Sequence, residues 1–148
     1  MFVYSKTIIL IYREFKHLKN NTMRANEINL HLAIANNLFS NTAHFGGCSI
    51  NSNFESPKTG YLVSVKDGLT FNSQSEVNEH EISIFVKENL PLCTENNYFG
   101  GWKDQQTKKQ YFDLSLNTQS FDFAIQVAIQ NKQLAIWDLN ENKEIRVN

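Results

Sequence analysis

The apolar positions of this chain change period several times, and each change marks an element. Phe121, Ala124, Ile125, Ala128 and Ile129 recur at i, i+3, i+4, i+7 and i+8, which is the stripe of an amphipathic helix. Ser120 stands where that helix needs an N-cap. Just before it, Tyr111-Phe112-Asp113-Leu114-Ser115-Leu116 alternates instead. As a strand it puts Phe112, Leu114 and Leu116 on one face and Tyr111, Asp113 and Ser115 on the other. Tyr61, Val63 and Val65 alternate in the same way with Leu62 and Ser64.

The remaining elements follow from the same two periods. Asn26 is placed to cap a helix of about 12 residues, with Ile28, His31, Leu32, Ala35 and Phe39 on one face and Ser40-Asn41-Thr42 closing it. Ser73 and Glu76 have capping-box spacing. The helix behind them buries Ile82, Phe85, Val86 and Leu90 and stops at Pro91. A phrase recurs: Phe45-Gly46-Gly47 precedes a polar stretch and Gly60-Tyr61-Leu62, and Phe99-Gly100-Gly101 precedes another and Gln110-Tyr111-Phe112. Each copy reads as a hairpin, over 45–51 with 60–66 and 97–103 with 110–116, and each leads to a helix. A last hairpin over 134–139 and 144–147 turns through Asn140-Glu141-Asn142. The predicted fold is α+β, in the order α-ββ-α-ββ-α-ββ. It is a mainly antiparallel sheet of three hairpins with helices on one face, and it contains a possible internal ββα repeat.

Composition narrows the class without naming a function. A chain of 148 residues, 41% hydrophobic and with eleven Phe, can fill one core. The net charge of −1 is uneven. Lys6, Arg13, Lys16 and Lys19 face only Glu14 within 1–22, which leaves a mildly acidic body. The division is therefore an N-terminal basic amphipathic extension, 1–22, and a single α+β domain, 23–148. In the extension, Ile8, Ile11, Tyr12, Phe15 and Leu18 line one helical face. Three readings stay open for it: an arm for a membrane surface or an acidic partner, an element packed on the body, or upstream sequence before a natural start at Met23.

An acidic body is a poor footprint for nucleic acid, so a protein or small-molecule partner fits better than DNA or RNA. The run Thr7–Tyr12 is too short to span a bilayer and lacks the form of a signal peptide. Cys48 and Cys93 then read as reduced thiols of a cytoplasmic protein. Four dispersed histidines and two isolated cysteines form no metal-ligand spacing, and neither glycine pair has the lysine and helix of a P-loop. No metal and no cofactor is expected. His44 precedes Cys48 by four residues, which is about 13 Å along a strand and too far for a catalytic pair unless the chain bends at Gly46-Gly47. The glycine pairs themselves read as bulges or close backbone contacts.

The one constellation that invites a functional reading is the polar face of 111–116. Tyr111, Asp113 and Ser115, with Trp102 and Asp104 from the partner strand, form a candidate binding surface, because aromatic residues beside a carboxylate anchor interfaces at low entropic cost. Trp137 and Asp138 point to opposite faces of the last hairpin. No catalytic residue is assigned.

The phrases Gly46-Gly47, Thr59–Ser64, Tyr98–Trp102, Tyr111–Ser115 and Gln133–Leu139, in that order, resemble small uncharacterised accessory proteins of bacterial phages, plasmids and conjugative elements. The likeness runs from Ile28 to Val147 and carries no catalytic signature. It implies a mobile-element protein of the bacterial cytoplasm. The expected function is then a non-enzymatic protein-interaction module, one form of which is an anti-defence inhibitor of a host system. Two alternatives stand beside it: a small enzyme with an acidic site on the open sheet face, and a DNA-associated accessory protein using the basic extension.

Overall fold

The structure is a computed structural model and describes residues 23–147. The extension 1–22 and its three readings lie outside the described residues. Three helices and six strands follow in the predicted order: α1 (Met23–Phe45), β1 (Gly47–Ile50), β2 (Tyr61–Phe71), α2 (Glu79–Asn89), β3 (Asn97–Lys103), β4 (Gln110–Thr118), α3 (Phe121–Gln130), β5 (Ala135–Asp138) and β6 (Lys143–Arg146). All strand pairs are antiparallel, in the spatial order β1-β3-β4-β2-β5-β6.

The α+β class and element order hold, but only two of the three strand pairs are hairpins. β3 with β4 and β5 with β6 pair as neighbours in sequence. β1 does not pair with β2: it lies on the outer edge against β3, with Ile50 opposite Phe99, while β2 pairs with β4 and β5. The two Phe-Gly-Gly phrases are therefore not equivalent. Phe45 ends α1, and Gly46, at φ +80°, supplies the left-handed residue that stops it, its amide bonded to the Thr42 carbonyl at 3.1 Å. Phe99-Gly100-Gly101 lies inside a regular strand. Tyr61 faces α3 and meets Phe121 edge-on at 5.4 Å, whereas Tyr111 points to the opposite side of the sheet and stacks on Trp102. The ββα order recurs; the repeat does not extend to equivalent positions.

The helices cover one face. Phe99, Phe112, Leu114, Phe71, Cys48 and Ile50 from the sheet meet Ile34, Ala35 and Leu38 of α1 and Ile82, Phe85 and Val86 of α2. A smaller cluster joins Val63 and Ile136 to Ala124 and Ala128 of α3. α1 is longer than predicted, so Asn26 lies inside it. Its buried face is also rotated: Ile34, Leu38 and Thr42 are buried and Leu32 is exposed. α2 is capped by Asn78, whose side chain accepts from the His80 and Glu81 amides at 3.0 and 3.2 Å. Ser73 makes no cap bond, and Glu76 instead accepts from the Asn72 amide at 3.0 Å. Ser120 caps α3 as expected, accepting from the Phe123 amide at 3.2 Å. α3 buries its two alanines against β2, β4 and β5, while Phe121 and Ile129 stay exposed. Among the described residues, no helix is long and apolar enough to cross a membrane.

Candidate functional site

Among the described residues no helix covers the other face of the sheet, which is concave. β2 is irregular between Ser64 and Leu69, where its register against β4 shifts twice, and β5 pairs only with its first two residues. The β5–β6 hairpin is thereby carried round toward the far end of the sheet. Arg146 of β6 reaches the turn after β3 and donates to Asp104 Oδ1 at 2.9 Å, and its guanidinium lies 5.4 Å from the ring centre of Trp102. Glu144 pairs with the same guanidinium. The curled sheet encloses a cavity of about 640 Å³.

Its floor is assembled from strand register. Ser49 of β1 is opposite Gly100 of β3, Gly100 is opposite Asp113 of β4, and Ser115 of β4 is opposite Ser64 of β2. Asp113 sits in the space that Gly100 leaves: a Cβ on Gly100 would come within 2.8 Å of Asp113 Oδ1. Ser115 Oγ donates to that same oxygen at 3.0 Å, and the Ser64 hydroxyl, opposite Ser115 on β2, lies near the carboxylate and donates to the Lys66 carbonyl at 3.5 Å. Burial pushes the Asp113 carboxyl up to about 6, against the two serine hydroxyls and with a small addition from the Asp67 charge. Leu62 and Trp137, adjacent across β2 and β5, form one apolar wall, and Trp102 and Tyr111, stacked at 5.4 Å and 27°, form the other. Phe45 and Leu134 also line the cavity and stay exposed.

Four of the five residues singled out from sequence share this face: Trp102, Tyr111, Asp113 and Ser115. Trp102 is clasped between Tyr111 and Arg146 and is held rigidly at the wall. Asp104 lies elsewhere, buried in the β3–β4 turn. It accepts from the Gln106 amide at 2.9 Å and the Thr107 hydroxyl at 3.0 Å as well as from Arg146. Desolvation alone would raise its carboxyl, but these bonds hold it below the usual carboxylate range. Its role here is to end the turn and anchor β6. Trp137 faces the cavity and Asp138 is buried on the other side, as alternation requires.

Sequence reasoning did not find Gly100, Ser49 or Arg146 as parts of the site. The opposite-face reading of Leu62 and Ser64 was available, but pairing β2 with β1 set them beside the wrong strand. The other chemistry considered from sequence is not assembled. His44 bonds the Ser40 carbonyl at 2.7 Å at the exposed end of α1. The Cys48 thiol is buried beside Thr42 and pushed up by desolvation to about 12, which makes it inert. No group of His, Cys, Asp and Glu suited to a metal occurs among the described residues.

Comparison with known proteins returned no matching family model, no matching curated protein and no matching solved structure. The likeness to mobile-element accessory proteins thus rests on phrase order alone.

Proposed function

We propose that this protein is a non-enzymatic interaction module that holds a protein partner on the concave face of its sheet. The observation that carries the reading is an apolar-walled cavity whose lining continues into exposed Phe45 and Leu134. A cavity of about 640 Å³ has the size of a small-ligand site, within the common range of about 300–1,000 Å³. Apolar groups left open beside it suit an occupant that both inserts a side chain and covers the rim. Rigid aromatic walls lower the entropic cost of such binding. If phrase order tracks ancestry, the partner is a host or element protein, and an inhibitor of a host defence system is one concrete form.

Capture from a bacterial host lysate followed by mass spectrometry identifies the candidate partner. The test is then the dissociation constant for wild type, Phe45→Ala and Leu134→Asp. Both residues are exposed, so stability should hold while affinity falls by about 1–3 kcal/mol. Unchanged affinity in both variants would remove the concave face from the interface.

A second reading is favoured by one observation, a carboxyl that titrates near neutrality in a cavity. As a general acid or base, Asp113 would be essential to turnover, and Asp113→Asn would abolish a reaction while leaving binding nearly intact. The same substitution under the module reading changes affinity and leaves no activity to lose.

A further inference from the structure

Asp113 is a carboxylate at the floor of an apolar-walled cavity, and among the described residues no cation pairs with it. None of the cations near the cavity makes an ion pair with Asp113. Arg146 is held by Asp104 and Glu144. Lys66 Nζ donates to Asn89 at 2.6 Å on the helix side. Lys103 and Lys132 line the cavity without an ion pair. What Asp113 does have is two hydroxyls, Ser115 and Ser64. A half-buried carboxylate at the floor of a cavity gains more from an incoming cation than an exposed one does, because water screens the pair less.

The donor geometry distinguishes among cations. Asp113 Oδ1 already accepts from Ser115, so a guanidinium fork would share that oxygen with the serine and leave the lone pairs of the flanking hydroxyls without a donor. An ammonium does not need the fork. Its three donors match three separate acceptors: the second carboxylate oxygen and the lone pairs of the Ser115 and Ser64 hydroxyls, whose protons are given to Asp113 and to the Lys66 carbonyl. Leu62 and Trp137 would flank an aliphatic stem.

We infer that the floor formed by Asp113, Ser115, Ser64 and Gly100 is a subsite for a primary ammonium group, presented by a lysine side chain of the protein partner. This rests on the module reading for its source, since a free alkylamine carries the same chemistry.

The test uses the whole chain and three probes with one alkyl group: n-hexylammonium, n-hexylguanidinium and n-hexanol. They are titrated at pH 7.5 and followed by amide NMR shifts at Gly100, Ser115 and Ser64 and by the Asp113 carboxyl carbon. The ammonium should bind about tenfold or more tightly than the alcohol, as a charge-assisted bond in a desolvated site does, and more tightly than the guanidinium. It should also draw the Asp113 titration down toward the ordinary carboxylate range. Asp113→Asn should remove the preference for ammonium over alcohol and leave alcohol binding unchanged. Equal binding of ammonium and alcohol, a guanidinium preference, an unchanged ammonium preference in Asp113→Asn, or no floor shift with millimolar ammonium would each overturn the inference.

The partner separates this result from the module reading. If the probes behave as expected but Phe45→Ala and Leu134→Asp both leave partner affinity intact, the subsite serves a free amine and the module reading falls. If the probes fail while Leu134→Asp still weakens the partner, the module stands and its inserted group is not an ammonium.

Discussion

The two sides of β4 are built from adjacent residues and obey different rules. Phe112 and Leu114 on the helix side are almost fully buried in one contiguous core. Tyr111 and Asp113, one residue away on the other side, are half-buried around a cavity. The adjacent glycines of β3 divide in the same way. A Cβ on Gly101 would lie 2.0 Å from Thr42 Oγ1, so the missing side chain lets α1 rest directly on the sheet. A Cβ on Gly100 would meet the Asp113 carboxylate. One glycine serves packing and the other makes room for a charged group. A strand can thus carry the fold on one face and a site on the other.

That division is broken most directly at Phe112. Phe112→Ala should cost about 3–5 kcal/mol in chemical denaturation. Tyr111→Ala, its neighbour, should cost about 1–2 kcal/mol, since it loses one stacked pair and partial burial. Equal losses would mean that the cavity wall belongs to the core. The glycines sharpen the same point. Gly101→Ala should cost about 2–3 kcal/mol, because α1 must lift from the sheet. Gly100→Ala should cost less than about 1 kcal/mol, because the atom in its way is the end of a side chain. It should nevertheless abolish the raised titration of Asp113 as that carboxyl is displaced toward water.

Asp113 itself provides a pH test. Its folded carboxyl titrates at about 6, above its ordinary value of 3.8, so the folded state favours the protonated form. The associated stability is fully present below pH 3.8 and is lost as pH rises through 6. Asp113→Asn should therefore be about 1–2 kcal/mol more stable than wild type at pH 7, a figure discounted for the partial exposure of the side chain. The gap should close toward pH 4. A variant less stable than wild type at pH 7 would make Asp113 a structural acceptor. A similarly small effect is expected at the bridge across the cavity. Arg146→Gln should cost about 1 kcal/mol, because Arg146 is one-third exposed and Asp104 keeps its turn partners. Hydrogen exchange should then rise at the β5–β6 amides and not in β3 or β4.

Much of this was legible in the chain, and what was not shares a cause. Alternation in 111–116 correctly separated Phe112 from Asp113, because side-chain direction in a strand depends only on local geometry. Ser120 worked as a cap for the same local reason. Pairing was not local. β1 and β2 are consecutive, yet β3 and β4 lie between them, and no residue of β1 encodes a preference for Trp102 over Tyr61 as its neighbour. The rotated face of α1 has a similar origin: Leu32 is as apolar as Leu38, and only the approach of α1 over Gly101 decides which is covered.

The sequence by itself determined the order of elements, the face on which each strand residue lies, and the aromatic and acidic character of one of those faces. These follow from the period of the polypeptide and from burial of apolar surface, and both can be read in windows of a few residues. The tertiary structure alone decided that the open face is a cavity and not a flat surface. Curling needed the irregularity of β2, the placement of β5 beside it and the reach of Arg146 to Asp104, 42 positions away in sequence. The same curling turned Asp113 from a surface carboxylate into one that titrates near neutrality. Desolvation depends on everything that surrounds a group in space, and the chain alone does not specify those surroundings.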